Sequence, residues 1–515
     1  MERIRKERRY LSSADLPRTR GVRIFSFFTL VSGSFYIIWL FHNVNTSHYF
    51  MSGAFLFAEI ASLGLFLLVT LDTWRLRYKP SPGLKVDVPY SVDVFILVSG
   101  EPFHIVSQTL KGAKAIRWKH RLSLFVLDDG NSVQVRSLAK QLGFYYLSRP
   151  AQGIPIKNAK AGNLNFGLQN SDGDLILTLD ADQFPEPEIL EVMSGYMKFP
   201  ELAFVQSKQN YIVPLGDPFF NRDEIFYGTV QQAFDNINSV ISCGSGVLYR
   251  RAALEDIGGF KEWNIVEDLT TSYELHAKGW KSFYYGHPVT TGLAPASIRG
   301  VYQQRRQWAL DTIRIMFYDN PLLKKGLSWR KRLGYMTVGL SYLWFAFIIP
   351  FFFIMPIWTY LTGNFILSGS FLEFVFVRLI YFIFMVIGMH YIFQTKKIQK
   401  QFQMQAGIFP VYIRAFFQAF RYPPGKKPQY RPNIPRQINT KPTQSLLILP
   451  QLILFMANAL LPFYSALANI APAKVIFANT FISAFAMWNL WHILAASIAK
   501  KTWKPLENPE ENYDL

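Results

Sequence analysis

Two carboxylates one residue apart, Asp180 and Asp182, close the apolar run Leu175-Ile176-Leu177-Thr178-Leu179. Such a run reads as a buried strand. Side chains alternate along a strand, so Asp180 and Asp182 point the same way. They can converge on one divalent cation at the carboxyl edge of a sheet, where open α/β sheets take their ligands. Carboxylate oxygens suit Mg2+ or Mn2+ rather than zinc. D-x-D is also a common pattern, and a solvated turn with an Asp cap is the competing reading.

Other strand ends carry compatible groups. Ser99-Gly100-Glu101-Pro102 follows one predicted strand and Asp128-Asp129-Gly130 another; Asn158-Ala159-Lys160-Ala161-Gly162-Asn163-Leu164-Asn165 precedes the Asp180 strand. Acidic and amide groups suit a nucleoside, whose base and ribose offer donors. A lysine beside glycine suits a diphosphate, because small residues let backbone and ammonium approach. A cation at Asp180 and Asp182 would neutralise that diphosphate, so the set describes a site for a nucleotide-linked substrate whose leaving group is the nucleoside diphosphate. Farther on stand Cys243-Gly244-Ser245-Gly246, Val266-Glu267-Asp268 and Gln304-Arg305-Arg306-Gln307-Trp308. Asp268, at a helix start, fits a general base near a reacting hydroxyl or a helix N-cap. Trp308 offers a flat face to a sugar and Arg305 and Arg306 offer charge to phosphate; a membrane-surface anchor and lipid headgroup contacts are the alternatives. Cys243 reads equally as plain core.

These residues need a sheet to hold them and a membrane beside it. The chain has 515 residues, half of them hydrophobic, and a formal charge of +19. One cysteine excludes an intramolecular disulfide and a Cys-based zinc site, and the eight histidines form no H-E-x-x-H spacing. The basic runs flank apolar spans, which points to the cytoplasmic face of a membrane and away from nucleic acid. The expected order is a basic N-terminus with two spans (1–72), an α/β domain (73–332), two spans (333–393), a basic segment (394–444) with a surface helix at 409–420, and two further spans with a short tail (445–515). The six spans lie at about 24–42, 54–71, 333–361, 374–393, 445–467 and 475–499, the first two near the ~20 residues a bilayer requires. Linkers 43–51, 362–371 and 468–474 carry one lysine between them, so both termini and the α/β domain are expected on the cytoplasmic side. In that domain strands are expected at 92–98, 122–127, 144–147, 175–179, 204–206 and 282–285. Helices marked by Ile105, Val106 and Leu110, by Leu190, Met193 and Met197, and by Leu269, Tyr273 and His276 lie among them, which argues for a mostly parallel sheet covered on both faces. Arg378, inside a span, reads as snorkelling to the outer interface or lining a polar path. Trp488, Asn489, Trp491 and His492 read equally as a sugar-channel lining or as interhelical packing.

Taken in order, D-D-G, A-K-A-G-N-L-N, D-A-D, C-G-S, V-E-D-x-x-T-S-x-E-L-H-x-x-G-W and Q-R-R-x-W resemble the motifs of processive, membrane-embedded family 2 glycosyltransferases, the cellulose synthase and cellulose-synthase-like group. The resemblance covers about 92–308, and the flanking spans by architecture. It implies a GT-A (Rossmann-like) cytoplasmic domain inserted in a multi-pass inner-membrane bundle whose spans form a polymer channel. It implies that Asp128 and Asp129 hold the uridine, that Lys160 contacts the nucleotide, and that Asp180 and Asp182 contact UDP and Mg2+ or Mn2+. By the same carry-over Asp268 is the catalytic base, Cys243 lies near the acceptor sugar, Gln304 and Trp308 cradle it, and Arg305 or Arg306 reaches the diphosphate. The implied partners are a UDP-sugar donor (UDP-glucose first), a growing glycan acceptor and membrane lipid; the sequence does not say whether accessory export subunits join them.

Three departures stand out. Val98-Ser99-Gly100-Glu101 replaces a T-Y-N-E-like segment, Gln307 stands where Q-x-x-R-W has arginine, and the loop that usually reads F-x-V-T-x-K is matched only by Arg436-Gln437-Ile438-Asn439-Thr440-Lys441. Asn439 and Lys441 are its candidates for the diphosphate. The short tail is expected to leave no room for a cyclic-di-GMP-binding barrel. The alternatives are a glycolipid synthase adding one sugar to a lipid, and a non-catalytic transporter or receptor with a nucleotide-binding domain.

Overall fold

The computed structural model describes residues 15–74, 84, 86–214, 217, 221–295, 297–393, 395, 398–428 and 447–498. Eight strands form one sheet: β1 (Val92–Val98), β2 (Leu122–Asp128), β3 (Tyr145–Leu147), β4 (Leu175–Asp180), β5 (Gln183–Pro185), β6 (Leu202–Ile212), β7 (Val247–Arg250) and β8 (Lys281–Leu293). Their spatial order is β3-β2-β1-β4-β7-β6-β8-β5. The helices used below are α1 (Asp15–Asn43), α2 (Tyr49–Thr73), α3 (Phe103–Lys114), α4 (Val133–Leu142), α5 (Ala159–Gln169), α6 (Glu267–Ala277), α7 (Ile298–Tyr318), α8 (Trp329–Leu343), α9 (Ile349–Thr362), α10 (Phe371–Ile392), α11 (Ile398–Gly407), α12 (Phe409–Arg421), α13 (Leu449–Leu467) and α14 (Ala473–Ile498).

β1 shows how the sequence builds this sheet. All seven of its residues are buried. Val92, Val94, Ile96 and Val98 pack on Val106 and Leu110 of α3, while Phe95 and Leu97 join Leu164 of α5 on the other face. A period of two sorts the side chains between two cores, which is why the strand reads as an apolar run interrupted only by Asp93, which pairs with Arg251 at 3.0 Å.

The sheet is mostly parallel, as expected, with β7 and β5 running against the other six strands. β3, β2, β1 and β4 run parallel, and then β7 pairs antiparallel with both β4 and β6. β8 returns parallel to β6, and β5 pairs antiparallel with β8. β5 and β7 were not expected at all; runs of three and four residues carry no usable periodicity. β6 and β8 extend well past their expected ends. Their register shifts around Ser207 and Lys208, so the pairing survives Gly286 and Pro288, which read locally as breakers.

Among the described residues five helical segments are long and apolar enough to cross a membrane: Thr19–Asn43, Thr46–Thr73, Trp329–Thr362, Phe371–Ile392 and Leu449–Leu467. The third joins α8 to α9 through a π turn. The expected sixth span is α14, helical over 26 residues. In the basic segment, α12 buries Phe409, Val411, Tyr412, Ala415 and Ala419 and leaves Phe417 and Phe420 exposed. Arg378 does not snorkel: its Nη1 donates to Glu59 of α2 and to the Tyr36 hydroxyl of α1. A guanidinium at this depth needs a partner, and a carboxylate on a neighbouring helix supplies one.

Candidate active site

The carboxyl ends of β1, β2 and β4 bring Glu101, Asp129, Asp180 and Asp182 to one rim of the sheet. They line a continuous cavity of about 3070 Å3 that also takes in Lys160, Cys243, Asp268, Gln304, Arg305, Arg306 and Trp308, and runs on between the apolar helices to Glu59 and Arg378. The antiparallel β4–β7 pair sets the centre. It places Cys243-Gly244-Ser245 beside the D-x-D turn, where the Asp180 amide donates to Ser245 Oγ at 3.0 Å. Buried Gln206 shapes that loop, accepting from the Cys243 amide at 2.7 Å and donating to the Ser245 carbonyl at 3.1 Å.

Lys160, on the first turn of α5, joins the two halves of the site. Its Nζ lies 2.6 Å from Asp180 Oδ1 and 3.4 Å from Glu267 Oε1 and donates to the Gly244 carbonyl at 3.3 Å. A Cβ on Gly244 would stand 2.6 Å from Lys160 Nζ and 2.8 Å from Asp268 Oδ2, so ammonium and carboxylate converge on one glycine. Asp268 sits one residue inside α6 and its Oδ1 accepts from the Leu269 amide at 2.7 Å, so it is a first-turn acid with one oxygen left for the cavity. Burial pushes its carboxyl well above the usual range, reinforced by neighbouring Glu267 and opposed by Lys160. Burial, followed by Asp180 and Glu101, pushes the Asp182 carboxyl up to about 7.

The two aspartates of D-D-G take different parts. Asp128 is fully buried, accepting from the Gly130 amide at 2.8 Å, the Ser132 amide at 2.9 Å and the Tyr146 hydroxyl at 2.8 Å; it shapes the turn. Asp129 faces the cavity and is gripped by Arg149, Nε–Oδ1 2.9 Å and Nη2–Oδ2 2.5 Å. Arg149 went unnoticed in the sequence because nothing local marks it. It also donates to the Lys157 and Ala159 carbonyls, tying the loop before α5 to the D-D-G turn. Gly162 lets it in: a Cβ there would stand 2.2 Å from the Lys157 carbonyl oxygen and 2.6 Å from Arg149 Nη1. Arg149→Ala strands a buried carboxylate, and a loss of about 3–5 kcal/mol is expected, read as a lowered denaturation midpoint.

The acceptor end is built on α7, whose start Ser297 caps through Oγ to the Gly300 amide at 3.1 Å. Arg305, nearly buried, pairs with Asp223 (Nη2–Oδ1 2.5 Å) and stacks over the Trp308 ring at 4.6 Å. Gln304, Arg306 and Gln307 line the same cavity, as do Gln209, Tyr211 and Tyr227, which the sequence did not flag. Tyr227 donates to Gln209 Oε1 at 2.6 Å. Cys243 Sγ accepts from Gln231 Nε2 at 3.2 Å, and burial pushes its thiol up. Of the last-helix cluster, Trp488 faces the cavity and Asn489 Nδ2 folds back onto the Phe485 carbonyl at 2.9 Å. Trp491 and His492 line a separate small pocket. Lys441, with Arg436 and Asn439, lies outside the described residues.

The donor set for a cation is Asp180 and Asp182, and no group of three or more His, Cys, Asp or Glu is placed to hold a metal among the described residues. Two carboxylates, with the other ligands coming from phosphate and water, is the usual protein share for Mg2+. The raised Asp182 carboxyl marks crowded negative charge that a cation would relieve.

The comparisons with known proteins agree with this geometry. Residues 175–393 match the family described as "Glycosyl transferase family group 2". The chain is 34% identical over 272 residues to Cellulose synthase 1 of Komagataeibacter xylinus, covering 50% of this chain and 17% of that protein. It is 34% identical over 305 residues to the Cellulose synthase catalytic subunit (UDP-forming) of Xanthomonas axonopodis pv. citri, covering 56% and 40%. The chain thus spans two fifths or less of the length of these relatives. Among solved structures, the mannosyltransferase PcManGT from Pyrobaculum calidifontis, in complex with GDP-Man and Mn2+, superposes with a TM-score of 0.52 at 14% identity, over 71% of this chain and 99% of that one; the likeness is one of fold. The fold is that of a GT-A glycosyltransferase, joined to apolar helices suited to a membrane. Over the matched residues the chain resembles family 2 glycosyltransferases of the cellulose-synthase-like kind.

Proposed function

We propose that this protein is an inverting, UDP-sugar-dependent β-glycosyltransferase, with UDP-glucose as donor, that builds a cellulose-like glucan and passes it across the membrane. One observation carries the reading: a single cavity joins the D-x-D turn and Asp268 to Trp308 and then to the apolar helices. Asp129 receives the nucleoside and Lys160 faces the diphosphate. Mg2+ or Mn2+ at Asp180 and Asp182 would neutralise the departing diphosphate. Trp308, held by Arg305 and Asp223, offers the acceptor sugar a face. Asp268 takes the proton of the acceptor hydroxyl, whose oxygen attacks the anomeric carbon in line as UDP leaves from the far side. The donor is taken from the cytoplasmic side, where the basic segments face.

A second reading, transfer of one sugar to a lipid, is favoured by one feature. Val375, Leu379, Phe382 and Val386 form a stripe on α10 that lines the cavity and is 38–50% exposed. Labelled UDP-glucose with the full-length protein in lipid separates the two. Long glucan is the expected product; labelled lipid alone would give the second reading, and no consumption with either cation would remove both.

The pH profile is a separate check. A base works only when ionised, and the Asp268 carboxyl is raised by burial. With the cation present, the acid limb of kcat/KM is therefore expected well above the ordinary carboxylate range, with activity rising as pH rises. A limb near the ordinary carboxylate range would contradict the desolvation argument.

A further inference from the structure

Deep between the apolar helices the cavity meets a charged pair. Glu59 of α2 and Arg378 of α10 both line it, with side chains 3% and 32% exposed. Arg378 Nη1 donates to Glu59 Oε1 and to the Tyr36 hydroxyl, which itself donates to Glu59 Oε1 at 3.2 Å. Nε and Nη2 have no hydrogen-bond partner among the described residues. The guanidinium lies among the rings of Tyr36, Phe374 and Phe55, at 5.4, 5.6 and 6.0 Å.

Depth and charge narrow what these N–H groups can meet. Arg378 is seven residues from the start of α10 and Glu59 ten from the start of α2, about 10 and 15 Å from the helix ends remote from the α/β domain. A lipid phosphate at the surface does not reach that level. Glu59 already neutralises the arginine, so an anion is not what the site calls for. What remains is a partly exposed, rigid fork of donors beside an aromatic face, which suits the hydroxyls and the apolar face of a neutral pyranose. The route to it is continuous. Glu59, Ser62, Phe66, Val69 and Thr73 share one face of α2 and line the cavity down to the α/β domain. Trp344 Nε1 donates to Ser62 Oγ at 2.9 Å along the way.

We propose that the Glu59–Arg378 pair is a binding station within the membrane bundle for the hydroxyls of a neutral glycan that arrives from the Trp308 end of the same cavity. This rests on the polymer-forming reading above. Within it, the pair holds the chain between additions and so sets how many sugars are added before release.

The test uses full-length protein in lipid nanodiscs with UDP-glucose and Mg2+ or Mn2+, reading UDP release and the number of sugars per product chain. Arg378→Lys keeps the charge and the ion pair but removes the fork. Glu59→Gln with Arg378→Met removes both charges together, so that no lone charge is left buried. Both are expected to shorten the product on the order of tenfold, equivalent to about 1.4 kcal/mol of lost hold. Wild-type length in both variants overturns the proposal. So does wild-type length in Arg378→Lys with shortening only in the double variant, since a purely structural ion pair behaves that way. If the double variant does not fold, Arg378→Lys decides alone. A wild-type enzyme that transfers one sugar and stops overturns the proposal and leaves sugar transfer standing. One that releases no UDP removes the polymer-forming reading and the proposal with it.

Discussion

Asp268→Asn is expected to lower kcat on the order of 10^3-fold, within the range that a positioned general base supplies. The amide keeps the shape and the contact with the Leu269 amide can be kept, but asparagine cannot take a proton from an acceptor hydroxyl. The same substitution is expected to leave the unfolding temperature unchanged or raised. Burial and Glu267 disfavour the ionised carboxyl, so the native protein holds that charge at a cost to its own stability. UDP binding is expected to persist, because Lys160, Asp180 and Asp182 stand on other elements. Single-turnover transfer from labelled UDP-glucose, with UDP binding measured alongside, checks the three together. Turnover within threefold of wild type would remove Asp268 from the reaction. The base would then be sought at Glu267, 3.4 Å from Lys160.

The second large effect is expected at Gly244, which has φ +74°. An alanine there carries strain of about 1–2 kcal/mol. It also sets a methyl where Lys160 Nζ and Asp268 Oδ2 now converge. Both are side-chain ends and can move, so the fold is expected to survive while the two groups separate. A displacement of this kind costs on the order of 10^2-fold in rate. Gly143 is the matched control. It caps α4 at φ +79° with nothing within 4 Å of a Cβ, so Gly143→Ala carries similar strain far from the chemistry. Equal losses of stability with a rate loss only at Gly244 are expected. Equal rates in the two variants would show that the convergence at Gly244 does no catalytic service.

The positions that bear chemistry were visible in the sequence because they sit at strand ends. The apolar runs before Asp128 and Asp180 and the glycines around Lys160 and Gly244 are local signals, and local signals survive in a linear string. The first turn of α6 was visible for the same reason, and so were the long apolar helices. What was hidden depends on partners distant in the chain. Arg149 has meaning only because Asp129, twenty residues away, is buried against it. Gln206 matters only through its bonds to the loop from Cys243 to Ser245.

The sequence by itself determined an α/β domain between apolar helices and a carboxylate-rich rim with a lysine and a second, remote acid. Strand periodicity and residue type decide these, and both are properties of short segments. Only the tertiary structure decided that β7 runs against its neighbours, since the direction of a four-residue strand is set by the strands on either side. Only the tertiary structure made Asp128 a turn-former and left Asp129 facing the cavity, because burial depends on what packs around a residue. It also turned Arg378 from a side chain reaching for the interface into half of an ion pair, because Glu59 lies more than three hundred residues earlier and meets it only when α2 and α10 pack together.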